Sequence, residues 1–149
     1  MKRADVVILP AKKADFRQLM DLWKKAGLSL SDQAIEQEEF VAMLALNPTS
    51  CLVAKVKHQV VGSALGIFNG RRAWIYHLAV NPKWQKQGVG SKLLQATENA
   101  LWKIQGNKIR LWVGFTNLKV VPFYEKHGYS VMSDAIMMGK NMYLKGGEK

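Results

Sequence analysis

The sequence predicts an α/β fold with a sheet of about six to seven strands and four helices. Two observations carry that prediction. Short β-branched and aromatic runs alternate with longer stretches whose apolar residues recur at helical spacing, in the order β-α-α-β-β-β-α-β-α-β-β. In addition, Trp74 to Ser91 reads as a strand, a basic glycine loop and a helix start in direct succession.

Val6 to Leu9 reads as the first strand. Asp15 to Ala26 carries Phe16, Leu19, Met20 and Trp23 on one helical face and stops at Gly27. Ser31-Asp32 caps a second helix with apolar positions Ile35, Phe40, Val41, Leu44 and Leu46, which also carries Glu36, Glu38 and Glu39 and ends before Asn47-Pro48. Cys51 to Val56 and Val60 to Phe68 are β-rich runs joined by Lys57-His58-Gln59, a hairpin signal. Asn69-Gly70 turns the chain into a strand from Arg72 to Val80. A long helix runs from about Val89 to Gln105 and stops at Gly106-Asn107. Lys108 to Phe115 alternates Ile109, Leu111 and Val113 against Arg110, Trp112 and Gly114, as a strand does. Proline deep inside a helix costs about 3 kcal/mol, so the last helix is expected to begin near Val120 or Val121 with Pro122 in its first turn. Gly128 ends it. Tyr129 to Met132 and Ile136 to Leu144 are expected to close the sheet, and Lys145 to Lys149 reads as a disordered tail.

A chain of 149 residues is expected to be one domain, 1–149, with a sizeable core. No apolar run approaches the ~20 residues that span a bilayer, and Val6-Val7-Ile8-Leu9 is too short for a signal-peptide core. The single cysteine, Cys51, cannot form an internal disulfide and lies in an apolar stretch, which reads as a buried structural thiol in a reducing compartment. A cytoplasmic protein is expected. Lysine and arginine total 22 against 11 acidic residues, a net charge of +11 that favours anionic partners. Those residues are scattered rather than clustered, so a solvated basic surface that steers a phosphorylated ligand accounts for them.

The strand before the glycine loop is stopped by Asn81-Pro82, since proline cannot donate to a sheet ladder. Beyond the loop, the first N–H groups of a helix and its dipole form an anion site. Glycine lets backbone approach a phosphate closely, and Lys83, Lys86 and Lys92 add charge. The spacing is neither the dinucleotide fingerprint nor the P-loop; it is Gln85-x-x-Gly88-x-Gly90.

Gln85-Lys-Gln-Gly88-Val-Gly90 resembles the [RQ]-x-x-G-x-[GA] pyrophosphate loop of the GCN5-related N-acetyltransferases, and Ile75-Tyr-His-Leu-Ala-Val-Asn-Pro looks like the strand that leads into it. Asn117-Leu-Lys-Val-Val-Pro-Phe-Tyr-Glu-Lys-His-Gly-Tyr is similar to the family's second signature. The resemblance is strongest from Ile75 to Lys140 and rests on element order alone before residue 50. It implies a mixed, mostly antiparallel sheet whose fourth and fifth strands splay apart, and acetyl transfer from acetyl-CoA to an amine. Leu78, Ala79 and Val80 would offer backbone groups to the pantetheine arm. The main chain of Gln85, Lys86, Gln87, Gly88, Val89, Gly90 and Ser91 would hold the pyrophosphate, with Asn117 also on the cofactor. Tyr124 occupies the position that protonates the departing CoA thiolate. An aromatic pair such as Phe123-Tyr124 on a helix is otherwise ordinary core packing.

Some relatives carry a glutamate on the fourth strand eleven residues before the loop's Gln or Arg; here that position is Trp74, which leaves the base open. His77 is the nearest candidate because imidazole ordinarily titrates near neutrality, and Tyr76 or a glutamate of the second helix is an alternative relay. Glu36, Glu38 and Glu39 would attract a cationic amine or simply form a wet helix face. Trp23, Trp74 and Tyr76 would line an acceptor site or fill core. A small-molecule amine is the expected acceptor, with a protein N-terminus or lysine as alternatives. No metal is expected, since the three histidines show no ligand spacing. No membrane and no nucleic-acid partner is expected, and a homodimer is left open. A nucleic-acid-binding module and a non-catalytic CoA sensor are the readings from other classes.

Overall fold

Residues 5–142 are described here, from a computed structural model. A five-stranded sheet in the order β1-β2-β3-β4-β5 organises the larger part of the chain. Its strands are β1 (Val7–Pro10), β2 (Cys51–Val56), β3 (Gln59–Phe68), β4 (Ala73–Val80) and β5 (Ile109–Leu111). The first four pair antiparallel, while β4 and β5 run parallel. The helices are α1 (Phe16–Lys25), α2 (Gln33–Leu46), α3 (Val89–Lys103) and α4 (Val121–Lys126). The chain divides after Trp112 into two compact units, the second carrying α4.

Both faces of the sheet are covered, as the nearly unbroken burial of β2 and β3 requires. One face takes α1 and α2. Trp23 is the centre of that core: fully buried, it meets Phe16 edge-on at 6.3 Å and Phe40 at 6.2 Å between ring centroids. α2 presents Glu36, Phe40 and Leu44 inward at four-residue spacing. Asp32 caps it by accepting from the Ala34 and Ile35 N–H groups at 2.8 and 3.3 Å. Ile35 and Leu46, expected on the apolar face, are exposed, because the buried stripe runs through 36, 40 and 44.

On the other face α3 lies against β3, where two glycines leave room for it. A Cβ on Gly66 would sit 2.7 Å from Thr97 Cγ2 and 2.9 Å from the Ser50 carbonyl oxygen, and one on Gly62 would sit 2.7 Å from Leu93 Cδ1. Cys51 lies between the layers with no exposed surface, and burial pushes its thiol up to about 12.

The expected sheet was too large. Among the described residues, 129–142 form no strand, so Tyr129 to Met132 and the described part of Ile136 to Leu144 do not extend it. Residues 143 and 144 and the expected tail at 145–149 lie outside the described chain. The stretch lacks two-residue alternation: Ile136, Met137 and Met138 are consecutive, all exposed, and followed by Gly139. The strand expected over Lys108 to Phe115 keeps only Ile109–Leu111, since from Val113 the backbone turns toward the short 3-10 stretch Phe115–Val120.

Candidate active site

β4 is irregular where the sequence looks most regular. Its pairing with β3 runs Phe68↔Ala73 to Leu65↔Tyr76, then resumes at Ser63↔Ala79, so His77 and Leu78 both lie opposite Ala64. This is a β-bulge, and it moves the strand's residues from one face to the other. Ahead of it, Ile75 pairs with Gly66 on the α3 face; beyond it, Ala79 pairs with Ser63 on the α1/α2 face. His77 makes the turn with φ of +51°, the left-handed conformation that a non-glycine residue rarely adopts.

The bulge aims the imidazole into the α1/α2 layer. Its ring meets Trp23 edge-on at 4.5 Å, and Nε2 lies 3.3 Å from Glu36 Oε1. Glu36 is buried, and its second oxygen accepts the Ser31 N–H at 2.8 Å. Ser63 ties the arrangement together: its hydroxyl accepts from Trp23 Nε1 at 2.9 Å and donates to the His77 carbonyl at 2.7 Å. Glu38 and Glu39 are exposed, so the acidic cluster of the sequence separates into one buried carboxylate and a solvated pair. Trp23 is fully buried and fills core. Trp74, where some relatives have a carboxylate, stacks on Trp112 at 4.9 Å and 22°.

The second feature is an open edge. β5 pairs with β4 only across Ala73, Trp74 and Ile75, so the two strands part before Tyr76. Leu78 and Ala79 therefore lie on a stretch whose β5 side carries no partner strand. The Val80 carbonyl accepts Gln85 Nε2 at 3.0 Å, which ties the strand's end to the loop.

The loop is built by short-range contacts. Asn81 Oδ1 accepts the Lys83 N–H at 3.0 Å over the single 3-10 turn Pro82–Trp84. Lys86 and Gly88 then take positive φ, +60° and +85°, and α3 starts at Val89 with no side chain capping it. The first turn of α3, Val89, Gly90 and Ser91, directs its N–H groups outward beside exposed Lys83, Lys86 and Lys92. Gln87 donates to the Lys83 carbonyl at 3.1 Å and stiffens the loop. A Cβ on Gly88 would meet nothing within 4 Å, so its requirement is conformational. Gly88→Val is expected to cost about 1–2 kcal/mol of folding stability through that φ and to weaken acetyl-CoA binding by roughly tenfold; calorimetric titration and a thermal melt measure the two.

Asn117 and Tyr124 belong to the second unit. Asn117 is exposed at a kink (φ −128°) ahead of α4. Pro122 lies in the first turn of α4, where its missing N–H costs nothing. Tyr124 packs edge-on against Phe123 at 5.3 Å and Tyr129 at 5.8 Å, and burial pushes its phenol up to about 12.

Comparison with known proteins gives the family. The sequence model of the Acetyltransferase (GNAT) family fits residues 16–129. The chain belongs to that family. It is 30% identical over 128 residues to an acetyltransferase of Sodalis glossinidius, covering 86% of this chain and 89% of that one. Its fold is similar to that of Ard1 from Thermoplasma volcanium, with a TM-score of 0.73 and 24% identity over 86% of this chain and 84% of that one. A predicted acetyltransferase of Clostridium acetobutylicum, solved with acetyl-CoA, has a TM-score of 0.75 and 18% identity, covering 91% of this chain and 96% of that one. This GNAT chain is thus an acetyl-CoA-dependent N-acetyltransferase, and no helix among its described residues is long and apolar enough to cross a membrane.

One site residue, Ser63, escaped the sequence reading, and a second, Glu36, was named there without being told apart from its neighbours. Ser63 is a lone hydroxyl in the apolar run Val60 to Phe68, and that exception was its signal. Glu36 was visible only within an acidic cluster, although it stands four residues before Phe40 on the buried stripe.

Proposed function

We propose that this enzyme moves the acetyl group of acetyl-CoA to the primary amine of a small molecule. The observation that carries the reading is the parting of β4 from β5 after Ile75, immediately before a glycine loop that opens onto the N-terminus of α3. An extended amide-bearing arm needs an unpaired strand edge, and a pyrophosphate needs converging N–H groups and positive charge. Both are offered within one stretch of the chain. Leu78, Ala79 and Val80 would pair with the pantetheine arm, and one N–H there would polarise the thioester carbonyl. The loop from Gln85 to Ser91 would hold the pyrophosphate, with Asn117 as a further contact.

The acceptor enters as an ammonium ion and must lose a proton before its nitrogen can attack. His77 would take that proton. The nitrogen then bonds to the acetyl carbon as the carbon–sulfur bond breaks, and Tyr124 would protonate the departing thiolate. Two protons leave nitrogen in all; one balances the thiol of CoA and the other reaches solvent. Tyr124's role is carried by its place in the second motif and by a phenol that keeps its proton well above neutrality.

Calorimetric titration with acetyl-CoA, followed by thiol release against benzylamine, spermidine, lysine and a peptide with a free N-terminus, tests the reading. Micromolar acetyl-CoA binding and turnover of a small amine is the expected result. Turnover of the peptide alone would move the acceptor class to protein termini, and no acetyl-CoA binding would sink the reading. Cys51, buried and with its thiol raised, leaves released CoA as the thiol that reacts.

A further inference from the structure

The bulge in β4 leaves the His77 imidazole with one ring nitrogen engaged and, among the described residues, no hydrogen-bond partner recorded for the other, and that asymmetry has a chemical meaning. Nε2 of His77 faces Glu36 Oε1 at 3.3 Å. The carboxylate is itself held by the Ser31 N–H at 2.8 Å, and it lies under the first turns of α2 with almost no exposed surface. A buried carboxylate is retained when a donor satisfies each oxygen. Here the backbone supplies one donor and the imidazole the other.

We propose that Glu36 is a positioning residue for proton transfer: it holds neutral His77 with its proton on Nε2, so that Nδ1 takes the proton of the acceptor ammonium. The inference rests on the acetyl-transfer reading above and adds a residue, a tautomer and a direction to it. When Nδ1 gains the proton, the imidazolium faces a carboxylate at hydrogen-bond distance, and the charge that forms is compensated where it forms. Proton bookkeeping is simple: the acceptor N–H bond breaks, the Nδ1–H bond forms, and the proton later passes to solvent. Glu36 gains none.

The surroundings favour this assignment. Trp23 of α1 fixes the ring plane edge-on at 4.5 Å, and Ser63 of β3 holds the His77 carbonyl at 2.7 Å. Neither ionises near neutrality, so among the described residues the titratable group recorded against His77 from its neighbours is Glu36 of α2. The imidazole is partly exposed, at 26% of its side chain, and Nδ1 is taken as the atom reached there. The left-handed φ of His77 accompanies the bulge that brings the ring onto Trp23 and within reach of Glu36.

Long-range proton–nitrogen spectra of the uniformly labelled full chain test the proposal without any acceptor. His77→Asn assigns the signal among the three histidines. The expected neutral form carries its proton on Nε2. Glu36→Gln, close to isosteric and able to keep the Ser31 contact, should lower kcat by about tenfold, because the charge that compensates the imidazolium is gone. The acetyl-CoA Kd should stay within twofold, and Glu36→Ala, which removes the acceptor facing Nε2, should let the neutral ring populate the Nδ1–H tautomer. A proton on Nδ1 in the unaltered protein overturns the proposal, and that measurement needs no variant to fold. A Glu36→Gln enzyme that keeps full kcat, or a Glu36→Ala ring that keeps its proton on Nε2 alone, overturns it equally. Loss of turnover in the unaltered enzyme with every amine would instead remove the acetyl-transfer reading beneath it.

Discussion

Replacing Tyr124 with phenylalanine is expected to lower kcat by about 10²-fold or more, the range that a positioned general acid supplies. The KM for acetyl-CoA should stay within about threefold, because the ring remains and only the hydroxyl is lost. The edge-on contacts with Phe123 and Tyr129 are unchanged by the substitution, so the melting temperature should be nearly unchanged. The pH dependence follows from the direction of the phenol's shift. An acid must be protonated to act; burial raises Tyr124 from 10.0 to about 12, so the active form persists through mildly alkaline solution. Activity between pH 7 and 10 should therefore show no decline that depends on this residue. A decline near pH 9 that disappears in Tyr124→Phe would contradict it, as would a variant that keeps full turnover.

Gly66→Val is expected to destabilise the protein by about 3 kcal/mol or more, among the larger effects of overpacking. The first added carbon already meets Thr97 Cγ2 at 2.7 Å, the Ser50 carbonyl oxygen at 2.9 Å and Leu101 Cδ1 at 3.3 Å. Thr97 cannot swing aside freely, because its hydroxyl donates to the Leu93 carbonyl at 2.7 Å. The Ser50 oxygen cannot withdraw without losing the Gly66 N–H, which it accepts at 3.0 Å. A fall of roughly 10 °C in melting temperature is the expected reading, against almost none for Gly139→Ala, whose Cβ meets nothing within 4 Å. Because α3 carries the glycine loop at its start, acetyl-CoA binding should weaken in Gly66→Val even below its melting temperature. A melt within 2 °C of the parent would show that helix and sheet are not in the close contact described.

Much of this was legible in the sequence because it depends on local chemistry. The run Cys51 to Val56 is bounded by turn residues on both sides, and the strand has those limits. Pro122 fixed where α4 starts, since a ring without an N–H fits a first helical turn and not a later one. The glycine loop was legible for the same reason: positive φ and an open helix start need particular residues at particular steps. Features that depend on pairing were not. Alternation along Trp74 to Val80 puts Ile75, His77 and Ala79 on one face, and only the register against β3 reveals that the bulge separates Ile75 from the other two. Glu36 and Glu39 differ in nothing local; the angle around α2 buries the first and exposes the second. Strand-like composition in Ile136 to Met142 says nothing about whether an edge exists for it to join, and there the expectation failed.

The backbone of His77 sets a limit on how this enzyme can be improved. A left-handed φ costs a residue with a side chain about 1–2 kcal/mol, less for asparagine and least for glycine. Glycine at position 77 would relax that backbone but take away the ring on Trp23 and the donor facing buried Glu36, so selection for heat resistance weighs one against the other. Thermostable variants should be sought with that position frozen, and a library in which it drifts away from histidine as melting temperature climbs would reveal where stability and turnover compete.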